Sequence, residues 1–133
     1  MFEGGCVCGA LRFRAGVRPI DTGYCHCTLC QRSTGAPVLA WASFPVDAFS
    51  YTKGRAANYA SSSWGHREFC NRCGTQIGYR QTDAAETVDV NVGCMDDPSR
   101  FPPSRHIYVS ERISWFETAD ELPRHAGSKP DAD

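Results

Sequence analysis

Eight cysteines in 133 residues constrain this chain more than any other feature, because seven of them fall into three tight clusters. Cys6 and Cys8 stand in "CVCG", Cys25, Cys27 and Cys30 in "YCHCTLCQRSTGAP", and Cys70 and Cys73 in "CNRCG", while Cys94 is alone. Thiols spaced this closely either cross-link the chain or hold a metal, and the compartment decides which. The opening "MFEGGCVCGALRF" has neither a basic segment nor a continuous apolar run, and no stretch approaches the roughly 20 apolar residues of a membrane span. The expectation is a cytoplasmic protein, whose reducing surroundings turn clustered cysteines towards metal binding or redox work.

The first and last clusters share a detail: each has glycine directly after its second cysteine. In a zinc knuckle the backbone turns tightly so that amides point at the thiolates, and glycine accepts the positive φ of such a turn at little cost. Cys6, Cys8, Cys70 and Cys73 therefore read as two halves of one structural zinc site that ties the start of the chain to its middle. The competing reading is two unrelated redox pairs. A redox CxxC opens a helix, whereas "CNRCGTQIGYR" runs from its cysteines into glycine and then a strand-like stretch.

The middle cluster has no such glycine. Thr28 to Ser33 can form a short helix closed by Gly35, which places Cys27 and Cys30 three residues apart on one face, with Cys25 approaching from a strand end. Three thiolates can hold one zinc and leave a fourth position for water or substrate, as catalytic zinc requires. The alternative is a second closed site with Cys94 or His26 as fourth ligand. His26 suits that role poorly, because a side chain between two ligands points away from them.

Elsewhere the period is mostly two. Leu11, Phe13 and Ala15, Ile77 and Tyr79, Val88, Val90 and Val92, and Ile107 and Val109 predict half-buried strands. "APVLAWASF" at 36–44 is continuously apolar and predicts a strand covered on both faces, and "VDAF" at 46–49 one helical turn. A chain of this length suits one domain, here 1–117, followed by a polar tail at 118–133 that frays. Fourteen basic against fifteen acidic residues give a net charge of −1, so no broad attraction to nucleic acid or to an anionic membrane is expected.

Six ordered motifs, "GGCVCGALRFR", "CHCTLCQRSTGAP", "REFCNRCGTQIGY", "VNVGCMDDP", "HIYVSERISWF" and "LPR", together resemble the glutathione-dependent formaldehyde-activating enzyme family, which includes centromere protein V. The resemblance runs from about Gly4 to Arg124. It implies a mainly β fold of several coiled antiparallel sheets, similar to Mss4, with a few short helical turns and two zincs. One zinc would be structural, on the first and last knuckles, and one catalytic, on the middle trio. It also implies carbon–sulfur lyase chemistry on small thiol and aldehyde substrates, glutathione among them.

Further residues are candidates for that chemistry. His26 could shuttle a proton, Arg32 hold a substrate carboxylate, and Asp96 or Asp97 supply a base. Their plainer fates are a packed histidine, a solvated arginine and a turn before Pro98. Cys94 is expected to be a free thiol near the pocket without binding metal. Trp41, Trp64 and Trp115 are core or pocket wall. A zinc-stabilised protein-binding module of the same fold is the alternative to an enzyme, and it would gain nothing from an open coordination site.

Overall fold

The two-residue periodicity becomes strands wherever one face has something to cover. The computed structural model describes residues 1–83 and 85–129. Among them, β1 (Phe2–Gly5), β2 (Arg12–Ala15) and β3 (Asp21–Cys25) precede the helix α1 (Thr28–Thr34). There follow β4 (Leu39–Pro45), β5 (Phe49–Lys53), β6 (Ala57–Tyr59), β7 (Gly65–Phe69), β8 (Gln76–Gln81), β9 (Thr87–Asn91) and β10 (His106–Ile107). One sheet has the order β1-β2-β5 and the other β10-β3-β4-β9-β8-β7-β6. The fold is mainly β, as expected, with 3₁₀ turns between strands, one of them at Val46–Ala48 where a helical turn was predicted.

The main core lies between the sheets. Leu11, Phe13 and Ala15 from the β2 region meet Phe44 from β4, Ile77 from β8 and Val88 and Val90 from β9. Burying such side chains stabilises by roughly 1.5–3 kcal/mol each, before the entropy of ordering them is counted. In β4 Trp41, Ala42, Ser43 and Phe44 are all buried in succession, because β3 and β9 flank the strand and both its faces are covered.

Two expectations are corrected. The Ile107 and Val109 alternation does not make a full strand: β10 has two residues and runs parallel to β3, opposite Tyr24 and Cys25. Tyr108 then adopts a left-handed conformation at φ 57° and turns the chain into a 3₁₀ turn at Val109–Glu111, which ends the strand. The segment after Phe116 does not fray over its described residues. His106 donates its amide to Pro123 O at 2.8 Å, His125 returns a bond to His106 O at 2.9 Å, and Tyr108 donates to Gly127 O at 2.8 Å. Polar composition suggested a loose end; backbone pairing with β10 and the turn after it ties it down. The rest of the tail, 130–133, lies outside the described residues.

Candidate metal centres and the cleft

The glycines after the two knuckles adopt the backbone that only glycine takes easily, Gly9 at φ 78° and Gly74 at φ 81°. Each knuckle aims amides at sulfur: Leu11 N–H lies 3.2 Å from Cys6 Sγ and Arg72 N–H 3.4 Å from Cys70 Sγ. Thr75 joins the halves, its hydroxyl accepting from the Val7 amide at 3.1 Å and lying 3.2 Å from Cys73 Sγ. Hydrogen bonding from the Thr75 hydroxyl and backbone amide holds the Cys73 thiol down at about 5. Nothing in the sequence marked Thr75, because a single threonine beside a CxxC carries no signal of its own.

No disulfide joins any of the eight cysteines. Sulfurs of Cys6 and Cys8 lie 3.6 Å apart and those of Cys8 and Cys70 3.9 Å apart, and all four ligand atoms lie within 4.8 Å of one another. Zinc–sulfur bonds of about 2.3 Å in a tetrahedron place sulfurs about 3.8 Å apart, so the donor set and its spacing fit zinc.

Cys25, Cys27 and Cys30 form the second group whose sulfurs fall within 4.8 Å of one another, with Cys25 and Cys30 at 3.4 Å. Cys25 ends β3, and Cys27 caps α1, its sulfur accepting the Cys30 amide at 3.3 Å. Gly35 closes the helix at φ 68° with its amide on Gln31 O, as the sequence suggested. Shared protons from Cys25 and Cys30, the Cys30 amide and the positive charge of Arg67 hold the Cys27 thiol low, while the same sharing and burial push Cys25 up. Cys27 therefore meets a metal readily as thiolate, whereas the Cys25 and Cys30 thiols are raised and would give up their protons only on binding it.

The trio forms part of the wall of a cleft of about 550 Å³, in the range of small-molecule sites. Arg67, projecting from β7, is buried with both terminal nitrogens 3.9 Å from Cys30 Sγ, and its guanidinium carbon lies 5.2 Å from the centre of the Tyr79 ring. Its Nε and the Trp41 indole nitrogen are buried donors with no protein partner, and both residues line the cleft. A Cβ on Gly23 would stand 2.6 Å from the Trp41 ring, so the glycine on β3 lets the indole pack close against the strand. Asp89 on β9 also lines the cleft; burial raises its carboxyl above the ordinary value, opposed by the Ser43 hydroxyl that donates to it. Sequence reading missed Arg67 and Asp89, since each is one charged residue in an alternating strand and only β7 and β9 bring them to the trio.

The other candidates lie elsewhere. His26 is turned away from the trio's cleft: it borders a separate cavity and bonds His106. It is not among the residues that line the trio's cleft. Arg32 is exposed on α1 and lines no part of the cleft. Asp96 pairs with Arg12, which holds its carboxyl below the usual range. Cys94 donates to Gln76 O at 3.1 Å and packs against the main core, where burial raises its thiol to about 11; it belongs to neither cysteine group and does not line the cleft. Trp64 stands at the cleft and is 64% exposed, while Trp115 is 73% exposed and away from it.

Residues 1–111 match the family described as glutathione-dependent formaldehyde-activating enzyme. An uncharacterized lyase of Schizosaccharomyces pombe is 31% identical over 127 residues, covering 90% of this chain and 87% of that one. A Halomonas elongata protein carried under the name of a glutathione-dependent formaldehyde-activating enzyme is 27% identical over 128 residues, covering 88% and 80%. A crystal structure of a Rhodobacter sphaeroides protein superposes with a TM-score of 0.57 at 20% identity, covering 92% of this chain and 98% of that one. That last likeness speaks for the fold.

Proposed function

Because the chain belongs to the glutathione-dependent formaldehyde-activating enzyme family, we propose that it is a carbon–sulfur lyase that makes and breaks small thiol–aldehyde adducts. In this reading Cys6, Cys8, Cys70 and Cys73 hold a structural zinc, and Cys25, Cys27 and Cys30 hold a second, catalytic one. The observation that carries it is the convergence of three sulfurs and two unpartnered buried donors, Arg67 Nε–H and Trp41 Nε1–H, on one cleft. A zinc bound by the trio would supply Lewis acidity and ease loss of the proton from a thiol.

The chain's own residues account for the rest. In the forward direction a C–S bond forms, the thiol S–H breaks, and a proton ends on the former carbonyl oxygen; cleavage is the reverse. Arg67 offsets the negative charge of the trio at 3.9 Å and holds Cys30 in place. The Trp41 indole N–H donates to the carbonyl oxygen, where negative charge develops. Asp89, with its raised affinity for a proton, gives that proton to the oxygen or takes it back. Leu39 and Ile107 line the cleft beside them and keep water from the adduct.

The test is to follow adduct formation and breakdown over the uncatalysed background. Wild type should accelerate both; Cys27→Ala and Cys30→Ala, shown to remain folded, should not, and Asp89→Asn should be slowed by about 10²-fold or more. Cysteine variants that match wild type across a panel of thiols and aldehydes would leave a zinc-stabilised binding module as the better account.

A further inference from the structure

His26, the residue between two cysteines of the trio, is held from four directions. Its amide donates to Ile107 O at 3.1 Å, its carbonyl accepts from Gln31 Nε2 at 2.7 Å, and its ring packs against Phe116 with centroids 6.0 Å apart. Its Nε2 lies 2.8 Å from His106 Nδ1. The chain of contacts continues: His106 Nε2 lies 3.1 and 3.2 Å from the two Asp120 carboxylate oxygens and 3.3 Å from the Thr118 hydroxyl. Both rings are shut away from solvent, His26 at 2% and His106 at 1% exposure.

The direction of the chain follows from its end. The Thr118 hydroxyl and the Leu122 amide hold the Asp120 carboxyl well below the usual range, so it accepts and His106 Nε2 carries the hydrogen. His106 Nδ1 is then left to accept from His26 Nε2–H, and His26 Nδ1 has no partner in the protein. Along an extended backbone, residues i and i+2 share a face and i+1 takes the other. Cys25 and Cys27 can therefore bring their sulfurs together only if His26 goes to the opposite side, where a buried ring without a partner would cost free energy.

From this geometry we infer that His106 and Asp120 are positioning residues for the second cysteine cluster: by holding the His26 ring they set the backbone that brings Cys25 and Cys27 together on one metal. The inference rests on reading the trio as a metal site. It gives His26 a task that needs no access to the cleft, and it gives the segment from Thr118 to Arg124 a task at a site it does not line.

The experiment compares wild type with His106→Leu, Asp120→Ala and His106→Asn, whose carboxamide oxygen falls near the place of Nδ1 and can accept from His26. Proteins loaded with cadmium give one NMR resonance per cluster, so release to a chelator can be followed at both. His106→Leu and Asp120→Ala should release metal from the trio about 10-fold faster or more, leave the Cys6, Cys8, Cys70 and Cys73 cluster unchanged, and His106→Asn should recover most of the loss. Unchanged release from the trio, or equal loss from both clusters, would overturn the inference. If wild type binds metal at the first cluster alone, the reading of the trio as a metal site fails. Amide hydrogen exchange at Cys25, His26 and Cys27 then decides: faster in His106→Leu and restored in His106→Asn upholds the positioning role, and no change overturns it.

Discussion

Gly74 and Asp89 show how a single residue's conformation or surroundings become measurable. At Gly74 the backbone lies at φ 81°, and a Cβ there would meet no neighbouring atom, so conformation alone opposes substitution. Gly74→Ala should cost about 1–2 kcal/mol in denaturant unfolding, whereas Gly16→Ala, with open space and no positive φ, should be nearly neutral. Asp89 behaves oppositely to most carboxylates. Burial raises its proton affinity in the folded chain, so its contribution to stability is complete below the unfolded pKa of about 3.9 and is lost as pH rises through the folded value. Asp89→Asn should therefore be more stable than wild type at neutral pH, with the advantage shrinking on acidification, while adduct turnover falls. A pH-independent difference in unfolding midpoint would show that the charge is not the cause. Arg67 bears on acidity as well: Arg67→Met removes a cation from Cys30, and the thiolate absorbance of the metal-free trio should then appear at higher pH.

Elements matter here for where they end. β3 stops at Cys25, α1 begins with Cys27 as its cap, and the turn between β7 and β8 carries Cys70 and Cys73. Seven helical residues are too few to stand alone, so α1 depends on its cap, on Gly35 and on the cluster. The knuckle between β7 and β8 is joined to the N-terminal one by Val7 and Thr75 and by its sulfurs. Cys70→Ser should cost on the order of several kcal/mol, and chelation of wild type should produce a similar loss, because binding energy at such a site is folding energy. Calorimetric melting with and without chelator checks both. An unchanged melting temperature in either would remove the structural role from the first cluster.

For the molecule as a whole, the seven-stranded sheet brings together charges that are far apart in the chain. Arg67 is the one cation among the described residues lining the cleft, and it faces sulfur, while Asp89 and Glu111 contribute carboxylates. A cleft of that balance favours thiols with a neutral or cationic far end over anionic ones. Charge-transfer bands of the cobalt-substituted protein should show cysteamine binding more tightly than 3-mercaptopropionate or glutathione, and the reverse order would refute the charge argument. Much of this protein is legible in its residues: the glycines after Cys8 and Cys73 declare tight turns, the alternation in Val88 and Val90 declares a strand, and Gly35 declares a helix end. These are local properties, decided by backbone sterics and by which residues recur at a given period. Arg67, Asp89, Thr75, His106 and Asp120 were silent, since each is a lone polar residue whose partner lies in another strand or turn. The folded tail was hidden for the same reason, its polar composition giving no sign of backbone pairing beside β10. What the sequence determined by itself was which atoms could bind metal and where the chain must turn. Only the tertiary structure decided which charges face those sulfurs and on which side of them His26 lies, because those relations arise from packing between residues distant along the chain.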